Sequence, residues 1–162
     1  MDRFLGEATT VRFEPRPDAA TRIRSQRSSL AADGLRAAIA RDPGLRTRYD
    51  ETQLRLLLRD CDRHLLQLAS ALEHGDVDPM TTYVSMIVPL YRRRRMPLED
   101  LATLLLGIRD AVVAVLTPAE GEAAAAITEI ALSTLERPRH LAGDRPGNPI
   151  VRFLWKGAGI LD

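Results

Sequence analysis

The residues best suited by type to carry chemistry in this sequence are His64, with Cys61, Asp60 and Asp62 beside it, and the run Arg92-Arg93-Arg94-Arg95. His64 lies three residues after Cys61 and four before Leu68, which puts it at the edge of a helical apolar stripe. A histidine there either faces a cavity, where it could ligate haem iron, or pairs with a neighbouring carboxylate; the second is the expectation. Asp60 and Asp62, two apart, point to different faces of a helix and so do not make an acid–base pair. His64, His74 and His140 lack the spacing of a metal set, and a single cysteine cannot complete one. The sequence has no nucleophile elbow, no His-Glu-x-x-His and no phosphate-binding glycine loop. Gly157-Ala158-Gly159 simply follows Trp155-Lys156 near the last residue.

The run Arg92–Arg95 has two readings. Four adjacent arginines suit phosphate or an acidic protein surface. They equally suit a solvated turn that neutralises the carbonyl end of the preceding helix. No aromatics interleave with them, and 23 basic residues face 22 acidic ones, so the turn is expected and nucleic-acid binding is not. Tyr83, Met86, Tyr91 and Met96 cluster in the same region. They would suit a pocket for a small apolar ligand, core packing being the plainer reading.

A chain of 162 residues has room for one domain with a real core. Lys156 is the only lysine, so the other basic residues are arginine, which together with abundant alanine reflects genomic base composition. The lone cysteine excludes an intrachain disulfide and suits a reducing compartment. No apolar run reaches the roughly 18 residues of a membrane span, and the first residues lack a continuous apolar signal segment. A cytoplasmic location is expected.

The element that must hold these groups in place is the stretch from Pro97 to Thr117. Pro97 suits a first helical position, Glu99 and Asp100 oppose the helix dipole, and Leu98, Leu101, Leu105, Ile108, Val112 and Leu116 recur at helical steps. A second helix runs from Asp50 to His74 on the stripe Leu54, Leu57, Leu58, Cys61, Leu65, Leu68, Leu72, with Gly75 as its stop. Asp78-Pro79 opens a third through Leu90, which Pro89 should end or kink. Thr117-Pro118-Ala119-Glu120 is a capping box for a helix that stops before Pro138. Upstream, helix is plausible from Asp18 to Ala40, with Gly34 weakening its middle, and Asp42-Pro43-Gly44 breaks the chain. Residues 1–17 read as an extended N-terminal arm and 18–137 as the helical domain. Residues 138–162 form a Pro/Gly-rich tail whose Ile150, Val151, Phe153, Leu154 and Trp155 should pack on that domain or on a partner.

Tyr91–Val112 resembles a pattern in helical N-terminal sensor domains of bacterial regulators, of the RsbR-type stressosome co-antagonist and PucR-like kinds. There an arginine-containing segment leads through a small turn into Pro-Leu-x-x-Leu and a helix bearing an arginine. Arg95, Pro97, Leu98, Leu101 and Arg109 hold those places here, with Met96 where a glycine is common. The likeness extends over residues 50–137 and implies a non-haem, globin-like or bundle sensor, dimeric and acting through protein contacts.

The expected fold is therefore all-α: an antiparallel helical bundle or globin-like packing of four to five helices. The expected function is a non-enzymatic regulatory or sensory domain that binds a second copy of itself and a regulatory protein, and can take a small apolar ligand. No cofactor, metal or membrane is expected. Arg92, Arg93, Arg94, Arg95, Phe153 and Trp155 are the candidate interaction residues. The alternatives are a haem- or chromophore-binding globin-like protein and a nucleic-acid-binding protein using Arg92–Arg95.

Overall fold

Helical periodicity in the sequence becomes helix throughout the described part of the chain. The computed structural model describes residues 11–141, with side chains to Leu135. The helices are α1 (Pro17–Ser25), α2 (Arg27–Arg41), α3 (Leu45–Arg48), α4 (Glu51–His74), α5 (Asp78–Arg93), α6 (Leu98–Val113) and α7 (Pro118–Leu141). The fold is all-α, as expected. It has more pieces than the four to five expected, because the Asp18–Ala40 segment divides in two and the one-turn α3 follows the Asp42-Pro43-Gly44 break. No helix of the described residues is long and apolar enough to cross a membrane.

The division falls at Gln26, which leaves helical geometry at φ −110° and ψ 16°, and not at Gly34. Gly34 lies in the middle of α2, where α2 crosses α6 at Gly107. A Cβ on Gly107 would stand 2.3 Å from the Gly34 carbonyl oxygen and 2.7 Å from the Ala38 nitrogen. The residue that lowers helix propensity is therefore the one that lets two backbones meet. α6 lies against α2, α4, α5 and α7, and α4 against α1, α2, α5, α6 and α7. The core is built between them from Leu57, Leu65, Leu68, Leu72, Leu101, Leu104, Leu105 and Ile108.

The helix ends follow local chemistry. Asp50 caps α4: its carboxylate accepts from the Gln53 N–H at 2.8 Å, while Gln53 Oε1 accepts from the Asp50 N–H at 2.9 Å. Gly75 closes α4 at φ 63°, in the left-handed region, and any Cβ there would run into the Phe13 carbonyl at 2.2 Å. Residues 11–16 lie extended across this end, with the Phe13 N–H donating to Gly75 O at 2.9 Å. Pro97 is the cap of α6 and not its first helical residue, and α6 stops at Val113, short of Thr117.

Two prolines fail to stop their helices. α5 runs past Pro89 to Arg93, because Pro89 and Ser85, whose carbonyl it frees, both face solvent. The backbone of α7 runs past Pro138 to Leu141. The capping box at its start is formed: Glu120 Oε2 accepts from the Thr117 N–H at 3.0 Å and the Glu120 N–H reaches Thr117 Oγ1 at 3.3 Å. Gly121 in the first turn differs from Gly107, since a Cβ there would meet Val113 at an ordinary 3.6 Å. Gly121→Ala is expected to raise stability by about 0.5–1 kcal/mol, read as a rise of roughly 1–4 °C in melting temperature.

Candidate functional site

The titratable groups of α4 and α5 meet in one seam. Asp60, at the inward edge of α4, is 5% exposed and accepts from the Tyr91 hydroxyl at 2.9 Å and from Arg94 Nη1 at 3.2 Å, both through Oδ2. Arg63, one turn on, lies 4.0 Å from Asp60 Oδ1. Another turn along the seam, His64 Nδ1 and the Tyr83 hydroxyl are 2.8 Å apart, with the rings edge-to-face at 5.5 Å. These pairs, 60 with 91 and 64 with 83, make α4 and α5 antiparallel.

His64 is completely buried and its Nε2 has no hydrogen-bond partner among the described residues. Desolvation, aided by the Arg63 charge, pushes its pKa down to about 3, so the ring is neutral at pH 7. The expectation of a carboxylate partner is corrected: a phenol holds this histidine, because Asp60 turns to Tyr91 and Arg94 instead. Burial pushes the Cys61 thiol up to about 12, with the Asp60 charge adding to it, so it carries no thiolate at neutral pH. Desolvation and Asp60 likewise raise both tyrosines above their ordinary range. Asp62 points away from Asp60, as its spacing requires, and accepts from Arg27 Nε of α2 at 2.7 Å.

Two further buried carboxylates tie helices together in the same way. Asp100 of α6 accepts from Arg48 Nη2 at 2.9 Å and from the Tyr49 hydroxyl. Glu120 of α7 accepts from Arg22 Nη1 of α1 at 2.6 Å. Asp100 therefore does more than oppose a helix dipole: it anchors the turn around α3 to α6. Nothing in its sequence neighbourhood marks that role, since Arg48 and Tyr49 lie two helices, α4 and α5, earlier in the chain.

All four of Arg92–Arg95 are exposed residues, but they do not form one solvated turn. Arg94 folds back over the seam to Asp60, and Arg95 adopts a left-handed φ of 57°. Arg93 and Arg95 meet no carboxylate among the described residues. Arg94→Ser is accordingly expected to cost about 1 kcal/mol and Arg93→Ser less than about 0.5, measured by urea unfolding. The cluster of Tyr83, Met86, Tyr91 and Met96 divides too: Tyr91 and Met96 are buried, Tyr83 is half-buried, and Met86 is 68% exposed. Phe153 and Trp155 lie outside the described residues.

Among the described residues no group of three or more His, Cys, Asp or Glu is placed to hold a metal ion. His74 stays on the surface with Nδ1 against the Ser70 carbonyl oxygen at 2.9 Å. An open, polar hollow of about 410 Å³ lies where α1 meets α2, lined by Arg24 through Ser29. Its two arginines are already paired, Arg24 with Glu73 and Arg27 with Asp62.

No family model matches the chain, and no curated protein matches it. The seam thus stands on its own geometry. It holds every ingredient of acid–base chemistry, yet Asp60, Cys61, His64 and Tyr91 are buried between the helices, with only the arginines and part of Tyr83 reaching solvent.

Proposed function

We propose that this chain is a non-enzymatic regulatory or sensory domain, an antiparallel bundle that works as a dimer through protein contacts. The observation that carries this reading is the disposition of the reactive groups. Asp60, Asp100 and Glu120 bind arginines and tyrosines from other helices, His64 is held neutral against Tyr83, and Cys61 is a buried thiol. Groups committed to joining helices leave the outer surface as the place where the domain acts. The resemblance of Tyr91–Val112 to helical sensor domains of bacterial regulators agrees with this, and a small apolar ligand remains compatible with the helical core.

A scan with a photo-crosslinking amino acid, placed singly at exposed positions of α4, α5 and α7 in living cells, tests it. Discrete adducts to a second copy and to another protein are the expected result. A scan in which no position yields a protein adduct would overturn the reading.

A further inference from the structure

The outer side of the α4–α5 seam carries a surface that the seam itself does not use. On α4, Leu56, Arg59 and Arg63 follow at helical spacing just outside Asp60. On α5, Met86, Leu90 and Arg93 do the same just outside Tyr91 and Arg94. Because Asp60 bonds to both Tyr91 and Arg94, the two stripes flank one line and form the walls of a shallow groove. Leu56 is 38% exposed, Leu90 41% and Met86 68%, among the few large apolar side chains that the described surface leaves open. From Leu56 to Arg63, which the pairings of Asp60 with Tyr91 and of His64 with Tyr83 set level with Met86, the groove runs roughly 10 Å, two turns of helix.

Its charge is one-sided. Most arginines of the described chain have found carboxylates: Arg22, Arg24, Arg27, Arg41 and Arg48 are all paired. Arg59 and Arg93 pair with none among the described residues and sit on the two stripes that wall the groove, and Arg95, which meets no carboxylate among them either, follows in the turn after α5. Asp60, the carboxylate beneath them, is already bonded to Arg94 and Tyr91.

We infer that this groove docks an acidic amphipathic helix of a protein partner, its apolar side chains on Leu56, Met86 and Leu90 and its carboxylates on Arg59, Arg93 and Arg95. The inference rests on the protein-contact reading above and names its partner. Charge decides among the possible occupants. Residues 138–162 carry Arg139, Arg145, Arg152 and Lys156 against Asp144 and Asp162, so the chain's own tail is basic and matches poorly. A second copy meeting this face by a two-fold axis would set arginine against arginine. Nucleic acid would satisfy the arginines but would leave Met86 and Leu90 facing phosphate.

The test places a photo-crosslinking amino acid at Met86 and, in a separate protein, at Glu129 on α7, in living cells. The adduct from Met86 is expected to map by peptide mass spectrometry to an amphipathic, net acidic helix. That helix, synthesised and labelled, should bind the purified chain in a salt-dependent way, at least tenfold more weakly when Arg59→Glu and Arg93→Glu are combined with the circular dichroism unchanged. A Met86 adduct to nucleic acid, to a second copy or to a basic segment would overturn the inference, as would tenfold-retained binding by the double variant. Protein adducts from Glu129 alone would overturn it while leaving the protein-contact reading standing. Adducts from neither position, nor from any other in the scan, would remove both.

Discussion

Replacing Gly107 with alanine is expected to unfold the protein or to lower its stability by at least about 3 kcal/mol. The added Cβ would fall 2.3 Å from the Gly34 carbonyl oxygen, 2.7 Å from the Ala38 nitrogen and 3.0 Å from the Ala38 Cβ. All three belong to the α2 backbone or its first side-chain atom, so no rotamer change can make room. The two helices would have to separate, loosening the packing of α2 on α6 around Gly34 and Ala38. Gly34→Ala should be milder, about 1–2 kcal/mol, because its added Cβ meets chiefly the Cδ1 of Ile108, the far end of a flexible side chain. Urea unfolding of the two variants ranks them. Equal, wild-type-like midpoints would mean that α2 and α6 do not cross at these glycines.

Stability is also expected to fall on mild acidification, and His64 sets the window. In the unfolded chain its imidazole takes a proton near pH 6.5, whereas in the fold burial holds the pKa down to about 3. Between those values the unfolded chain binds a proton that the native state refuses. The full contribution is therefore present above pH 6.5 and is lost as the pH falls toward 3. The slope is about 1.4 kcal/mol per pH unit, for a total on the order of 5 kcal/mol. Carboxylates held below their ordinary range, Asp42, Glu73 and Asp110 by arginines and Glu120 first by the Thr117 amide, lose their contributions only around pH 4 and below. The interval from pH 6.5 to 4.5 thus isolates the histidine. His64→Gln keeps a partner for Tyr83 and cannot titrate, so its stability should be nearly flat across that interval. A wild-type protein equally stable at both pH values would refute the assignment.

What the sequence reveals and what it hides divides along the range of the interactions. The α4 stripe (all but Leu58, which the structure leaves exposed), the Asp50 and Thr117 caps, and Gly75 as a helix stop are local, and each is legible because the partners lie within one turn. Gly34 is different. Its low helix propensity is a local fact, but its purpose is Gly107 on another helix, so a local reading takes a crossing point for a flaw. Likewise, the spacing of Asp60 and Asp62 shows that they diverge, but not which one turns inward. Tyr91 and Arg94 decide that, and both come from α5. Four identical letters at positions 92–95 conceal that Arg94 alone closes over Asp60, because it lies three residues past Tyr91 on the face of α5 turned to α4. Pro89 shows the reverse error: a strong local signal for a helix end is overridden where the freed carbonyl can reach water. In the sequence Tyr83 groups only with Met86, Tyr91 and Met96, and periodicity alone cannot pair it with His64 across two helices.

The central claim is that the groups able to do chemistry are closed within the α4–α5 seam, leaving the outer surface to act. The nitrogen-15 NMR spectrum of the His64 imidazole tests it most directly. The account predicts a neutral ring whose shifts stay constant from pH 8 to 4.5, together with a Tyr83 hydroxyl proton protected from exchange. A ring that titrates near pH 6.5 with a rapidly exchanging proton would contradict it, and would make His64 an open, working acid–base group.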